Sequence, residues 1–163
     1  MGTWADLEAA EPEMVMRAFP KPSDAFFALA YLATVRADGA PRVHPFCPIF
    51  AGGRVFAAIP RSSPKGNDLR RDGRYVIHAL PGKDDAEFSL RGTATEIDDA
   101  EVLALVYAAV DASGVGGMTE SVRHDAVFEF DIERADAAHW EQVGQPGTYA
   151  VRRRWTAQPR AAP

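Results

Sequence analysis

Hydrophobic and polar positions alternate with a period of two through several short stretches of the chain, a pattern that predicts half-buried strands. Leu29 to Arg36, apolar and β-branched, reads as the first of them. Ala37-Asp38-Gly39-Ala40 follows as a tight turn, because its Asp-Gly pair tolerates the positive φ of a hairpin. The chain then runs back from Arg42 to Ala51, a stretch that carries Pro45 and Pro48. Neither proline can donate to a ladder, so this strand is expected at a sheet edge or bulged. Gly52-Gly53 closes a second hairpin, Val55 to Ile59 forms the third strand, and a polar loop leads into a helix near Pro64 to Arg71.

The same alternation returns in Arg74 to Leu80, where Tyr75 and Ile77 oppose Val76 and His78. After a polar loop from Pro81 to Asp85, Glu87 to Ile97 is strand-like, with Gly92 marking a bulge or a close backbone approach. The period then changes. Asp98 and Glu101 approximate a capping box for a helix whose Val102, Leu103, Val106, Ala109 and Val110 form one apolar stripe, ended by Gly114, Gly116 and Gly117. Ala126 to Ile132, with Phe128, Phe130 and Ile132 on one face, and Thr148 to Thr156 complete the strands. Upstream, Thr3 caps a short helix bearing Trp4 and Leu7, with Asp6 and Glu8 near its positive end. Pro12 to Phe19 is a second short helix, and Pro20 and Pro22 mark a break before Ser23.

The sum is a mainly β (α+β) chain: an antiparallel barrel of about six to seven strands joined mostly by hairpins, with a few peripheral helices. One domain is expected over residues 1–156, with the N-terminal helices as its cap and residues 157–163 as a disordered tail. A length of 163 residues with 47% hydrophobic content supports one core and is too short for two of ordinary size.

Charge and cysteine content narrow the function classes. The balance of 18 basic against 23 acidic residues argues against nucleic acid as a partner, and only Arg152 to Arg154 cluster. A single cysteine, Cys47, excludes an intramolecular disulfide framework and a multi-thiolate zinc site. No apolar run approaches the roughly 18–20 residues needed to cross a bilayer, and the N-terminus carries acids where a signal peptide has positive charge. Asp6 stands where a myristoylation signal needs serine or threonine. A cytoplasmic protein without membrane association is expected.

The richest chemistry lies within Tyr31 to Leu69, where the third strand gives way to the helix. Arg61, Ser62, Ser63 and Lys65 place two cations and two hydroxyls where a helix N-terminus presents free N–H groups, which suits a phosphate. The plain alternative is a loop with a serine N-cap and a favourable first-turn proline. His44 suits a polar ring contact, a general acid or a partly exposed strand residue. It lies three residues from Cys47, on the opposite face of a strand, so the two do not share a metal, and Cys47 reads as core. His78, on the face of Val76 and Leu80, reads as a structural histidine. His44, His78, His124 and His139 are the candidates for an axial haem ligand, and none stands in a diagnostic motif. Trp140, Tyr149 and Trp155 read as filling the barrel end or as closing over a partner's cofactor, and Arg152 to Arg154 as a solvated edge.

Three passages carry a family resemblance: LATVRADGAPRVHPF, VFAAIPRSSPKGNDLRRDGRYVIHAL and FSLRGTATEIDDAEV. Over roughly Leu29 to Ala112 the chain resembles the FMN-binding split β-barrel proteins, the pyridoxamine 5′-phosphate oxidase-like group and its flavin/deazaflavin-dependent oxidoreductase relatives. The resemblance implies a homodimer with cofactors in grooves at the interface. It also implies that Arg42, Val43, His44, Pro45 and Phe46 line the ring or ribityl side, and that Arg61, Ser62, Ser63, Lys65 and Asn67 bind the phosphate. Ser63-Pro64-Lys65 has proline where the family often has arginine, which moves the second cation to Arg61. The C-terminal arginine-histidine segment of true pyridoxamine phosphate oxidases is not matched.

The implied activity is hydride transfer between bound FMN or deazaflavin coenzyme F-420 and a small organic substrate, with the cofactor carrying the chemistry and no protein nucleophile required. A non-catalytic barrel that stores flavin, haem or a tetrapyrrole is the alternative, with haem ranked behind the flavins. An empty dimeric scaffold is a weaker third option.

Overall fold

In a computed structural model of the chain, residues 1–19, 28–81, 85–113 and 118–158 are described. The strands are β1 (Ala30–Val35), β2 (Pro41–Phe46), β3 (Ile49–Ala51), β4 (Arg54–Ile59), β5 (Arg74–Ala79), β6 (Glu87–Ile97), β7 (Ala126–Glu141) and β8 (Tyr149–Thr156). The helices are α1 (Trp4–Ala10), α2 (Pro12–Ala18), α3 (Pro64–Arg71), α4 (Ala100–Ala112) and α5 (Met118–His124). All strands belong to one antiparallel sheet ordered β2-β1-β5-β6-β7-β4-β3, with β8 also on β7.

The two ends of that order are neighbours in sequence. β2 and β3 are separated only by Cys47 and Pro48, yet no ladder joins them among the described residues. A two-residue link spans at most about 10 Å, so the sheet must curl until its edges nearly meet. The result is a barrel split along one seam. The sequence predicts a single strand from Arg42 to Ala51; the structure divides it at Pro48 and sends the halves to opposite edges. Pro45 sits opposite Tyr31 in the edge strand β2, where a missing N–H can face away from the ladder.

β7 organises the sheet. One of its edges pairs with β6 from Val127 to Ala138, while the other pairs with β4 over its first four residues and β8 over its last eight. The gap between β4 and β8 is filled by Gly2, whose N–H donates to the Ile132 carbonyl at 2.8 Å and whose carbonyl accepts from the Ile132 N–H at 2.9 Å. Opposite β6, Arg91 faces Arg134 and Gly92 faces Ile132, leaving Glu133 as the extra residue of a bulge. The bulge predicted at Gly92 is therefore present, with its extra residue on the partner strand. A Cβ on Gly92 would lie 2.0 Å from the Asp131 carbonyl oxygen.

Leu32, Ile59, Ile77, Leu90, Phe128, Phe130 and Ile132 fill the interior, and each such side chain contributes about 1.5–3 kcal/mol by leaving water. α1 and α2 pack against the sheet through aromatic rings: Trp4 meets Phe50 at 4.5 Å between ring centroids, with Phe19 and Phe88 beside it. The Thr3–Asp6 capping box starts α1, and Pro12 begins α2. α4 covers the outer face of β3 and β4 through Val106 and its neighbours against Phe56 and Val127.

Three further differences from the sequence reading have local causes. The α4 cap is Asp99 rather than Asp98, with Asp99 Oδ1 accepting from the N–H groups of Glu101 and Val102. β7 continues nine residues past Ile132 through a segment with no β-branched residue, held by β6 and β8 rather than by its own propensity. α5 was not anticipated. The break at Pro20, Pro22 and Ser23, the glycines Gly114, Gly116 and Gly117, and most of the 157–163 tail lie outside the described residues.

Replacing Gly92 by alanine is expected to cost about 2–4 kcal/mol, since the obstructing atom is backbone. Urea unfolding of the variant at neutral pH measures this, and a loss below 0.5 kcal/mol would show that β7 yields freely at the bulge.

Candidate functional site

α3 begins where β4 ends, and its placement depends on a buried carboxylate. Asp68 is 3% exposed. It accepts hydrogen bonds from Thr34 Oγ1 on β1 at 3.0 Å, Arg42 Nε on β2 at 2.7 Å and Arg71 Nη2 at 3.2 Å. Burial pushes its acidity constant upward, but the hydrogen bonds from Arg42, Thr34 and Arg71 prevail and hold it below the ordinary aspartate value. The first strands and the helix are thus joined by one charge-assisted cluster.

Arg42 therefore spends its Nε on Asp68 instead of projecting freely. Along β2 the alternation places Arg42, His44 and Phe46 on the more buried face and Pro41, Val43 and Pro45 on the exposed one. The five residues expected to line a ring are shared between two faces. Phe46 packs 6.1 Å from Phe130, and Val43 is 60% exposed. His44 Nε2 is buried and has no hydrogen-bond partner, the kind of orphan that a ligand or water would satisfy.

The loop from Pro60 to Ser63 turns through a Ser63 N–H to Pro60 carbonyl bond of 2.8 Å. Ser63 is the N-cap of α3, yet its side chain makes no capping bond, and Pro64 occupies the first turn. The plain expectation of an ordinary serine cap is thus not realised. Ser62 is exposed, and Lys65 is half-buried without an ion pair among the described residues. The Lys65 charge is felt by two neighbours. Burial raises the Cys47 thiol, with Lys65 pulling the other way. Burial likewise raises Asp125, opposed by Arg61, His124 and Lys65. The loop and the start of β7 adjoin, since Ile59 pairs with Ala126.

Arg61 donates from Nε to the His124 carbonyl at 3.2 Å, and its Nη1 lies 3.8 Å from Glu96 Oε1. Asn67 Oδ1 accepts from Arg70. Sequence reasoning missed Asp68, Arg70, Glu96 and Asp125, because their partners lie 26 or more residues away along the chain or on elements whose register was unknown. The donors of the loop fit a phosphorylated ligand: a half-buried lysine with no ion pair among the described residues and a serine at the helix start whose side chain makes no capping bond. No group of three potential metal ligands assembles among the described residues.

Two further features lie elsewhere. Tyr31, Val43 and Val76 stand exposed on the outer face of β1, β2 and β5, in rows set by the pairings Tyr31–Pro45, Ala33–Val43 and Ala33–Val76. A cleft of about 540 Å³ opens between α2 and the strand ends, with Met14, Phe88, Ala137 and Val151 in its wall beside His139 and Arg153. His139 Nε2 lies 3.1 Å from Glu141 Oε1. Trp155 packs against the core, whereas Trp140 and Tyr149 are exposed and do not fill the barrel end.

The family model for pyridoxamine 5′-phosphate oxidase matches residues 23–144. No curated protein matches the chain. Among solved structures, the chain is similar to the conserved hypothetical protein Rv2991 of Mycobacterium tuberculosis at 20% identity and a TM-score of 0.62, covering 77% of this chain and 81% of that one. It is similar to a NimC/NimA family protein of Clostridium acetobutylicum at 19% identity and 0.58, covering 91% and 94%. It is also similar to HutZ, the haem storage protein of Vibrio cholerae, at 17% identity and 0.59, covering 78% and 90%. At these identities the likeness is one of fold. The split barrel expected from the sequence is the fold these proteins share, and no helix among the described residues is long and apolar enough to cross a membrane.

Asp68→Asn should lower stability at pH 7 by about 3 kcal/mol, because Arg42 then loses its buried counter-charge. The Asp68 constant is depressed in the folded state, so its contribution is present above the unfolded value near pH 4 and lost as pH falls through the folded value. The gap between native protein and variant in urea unfolding should therefore close below about pH 4; a gap independent of pH would rule out the ion pair as its source.

Proposed function

The chain belongs to the pyridoxamine 5′-phosphate oxidase family, and on that premise we propose that it is an oxidoreductase using FMN or deazaflavin coenzyme F-420 on a small organic substrate. The observation that carries this reading is the half-buried Lys65, without an ion pair among the described residues, two positions from Ser63, whose side chain makes no capping bond at the start of α3. When bound, the flavin supplies hydride chemistry. Lys65 and Arg61 hold its phosphate by charge-assisted hydrogen bonds, and the Ser62 and Ser63 hydroxyls orient it. Asn67 accepts from Arg70 at Oδ1, which turns its Nδ2 into the donor that would reach the phosphate. His44 offers Nε2 as a donor or acceptor toward the ring or ribityl chain, its role set by the tautomer.

Arg42 contributes by position: its bond to Asp68 registers β2 against α3, so the ring wall and the phosphate loop are held as one body. Val43 and Pro45, on the exposed outer face with Tyr31 and Val76, belong to a surface that a second copy of the chain would cover. A homodimer with cofactor at the interface is thus part of the proposal, as is a cytoplasmic setting. FMN ends in a phosphate that suits the loop directly, whereas the deazaflavin coenzyme adds a phosphodiester and an acidic tail that would need further cations.

The double variant Arg61→Ala/Lys65→Ala should lose about 2 kcal/mol or more of FMN affinity, roughly thirtyfold. Equilibrium titration with each cofactor checks this. Absence of binding by both FMN and the deazaflavin coenzyme in the native protein would overturn the reading.

A second reading, haem or tetrapyrrole storage, is favoured by the cleft beside His139, which joins an apolar wall to an imidazole and to Arg153. A histidine-ligated haem there would give a Soret band on titration with haemin, shifted or lost in His139→Ala. An identical spectrum in native protein and variant would remove His139 as the ligand.

A further inference from the structure

Arg70 is the side chain on which the parts of the loop-helix junction converge. Its guanidinium holds Glu96 at the end of β6 with two N–H groups, Nε to Oε2 at 2.5 Å and Nη2 to Oε1 at 3.2 Å. Nη1 donates to the Arg61 carbonyl at 3.3 Å and to Asn67 Oδ1 at 3.0 Å. The group also lies 5.6 Å from the centroid of the Phe128 ring. A Cβ on Gly66 would stand in ordinary contact with Nη1, at 3.7 Å, and tight against Ile59 Cγ2, at 3.3 Å. One planar fork thereby ties together the loop, the first turn of α3 and the sheet, which a lysine's single point charge could not do.

Charge adds a second effect. Glu96 is bidentate to Arg70 but only 3.8 Å from Arg61 Nη1, and Arg61 remains 67% exposed in its side chain. Hydrogen bonding to Arg70 holds the Glu96 carboxyl below its ordinary value, so it stays ionised beside the loop. Without Arg70, that carboxylate would be free to close on Arg61 and neutralise a cation that an anion needs.

We propose that Arg70 is a positioning residue of the anion site: it sets the loop backbone at Arg61 and, by its two-pronged hold on Glu96, keeps that carboxylate from closing further than 3.8 Å on the Arg61 guanidinium. This role rests on the phosphate-site reading above. Arg70 itself touches no ligand in this scheme, and its effect is confined to ligands that carry a phosphate.

The test compares FMN with riboflavin, which lacks the phosphate, by flavin fluorescence titration of the native protein, Arg70→Ala, Arg70→Met and Arg70→Ala/Glu96→Gln. The native protein should prefer FMN. Both single variants should lose about tenfold in FMN affinity with riboflavin affinity unchanged, which also reports that the ring site is intact. Removing the Glu96 charge in the double variant should restore part of the loss. Equal affinity of the native protein for the two ligands would overturn the phosphate reading itself. A native FMN preference that survives in Arg70→Ala would overturn the positioning role alone, as would parallel loss of both ligands. Absence of any recovery in the double variant would overturn the part assigned to Glu96.

Discussion

A carboxylate removed from water must be matched by donors or lose its charge, and Asp68 is matched by three. The donors come from β1, β2 and α3 itself, so satisfying one buried charge fixes the relative position of three elements. This is a stronger geometric constraint than apolar packing, which tolerates sliding so long as volume is conserved. The loop between β4 and α3 is held in place because α3 is. What the loop can offer an anion depends in turn on side chains left without partners, and Lys65 is the clearest of these.

The seam supplies the complementary constraint. Prolines at positions 45 and 48 deprive β2 and the link after it of donors, and the sheet ends there instead of closing. A fully closed barrel of this size would be filled by its own side chains. A split one leaves edges and outer faces available for ligands and for a second copy. Cys47 sits in that split, where burial raises its thiol and the charge of Lys65 opposes the rise.

Most of the architecture was legible in the chain because period-two alternation and glycine turns act locally. β5 and β6 are cases in point, as are the hairpins at Gly39 and Gly52-Gly53, where positive φ is realised. The second half of β7 was not legible. Its alanines and charged residues have no strand preference, and they are extended because β6 and β8 flank them. The candidate site divides in the same way. Its cations and hydroxyls could be read from a contiguous segment, whereas the buried pairing of Arg42 with Asp68 and the Arg70 fork join residues whose proximity only the folded topology creates. Arg42 illustrates the limit: the family resemblance implies a place beside the ring, and only the fold reveals that its Nε also donates to Asp68.

The placement of β7 has a consequence for synthesis. The strand that pairs with β4, β6, β8 and Gly2 begins at residue 126, so β4 and β6 are synthesised before their organising partner exists. Until then the edges of β4 and β6 that pair with β7 have no ladder partner, although Phe56 and Phe88 can already meet Val106 and Trp4. Folding of the barrel is accordingly a late event in translation, dominated by contacts distant in sequence. Gly2 likewise enters its ladder only when Ile132 has arrived.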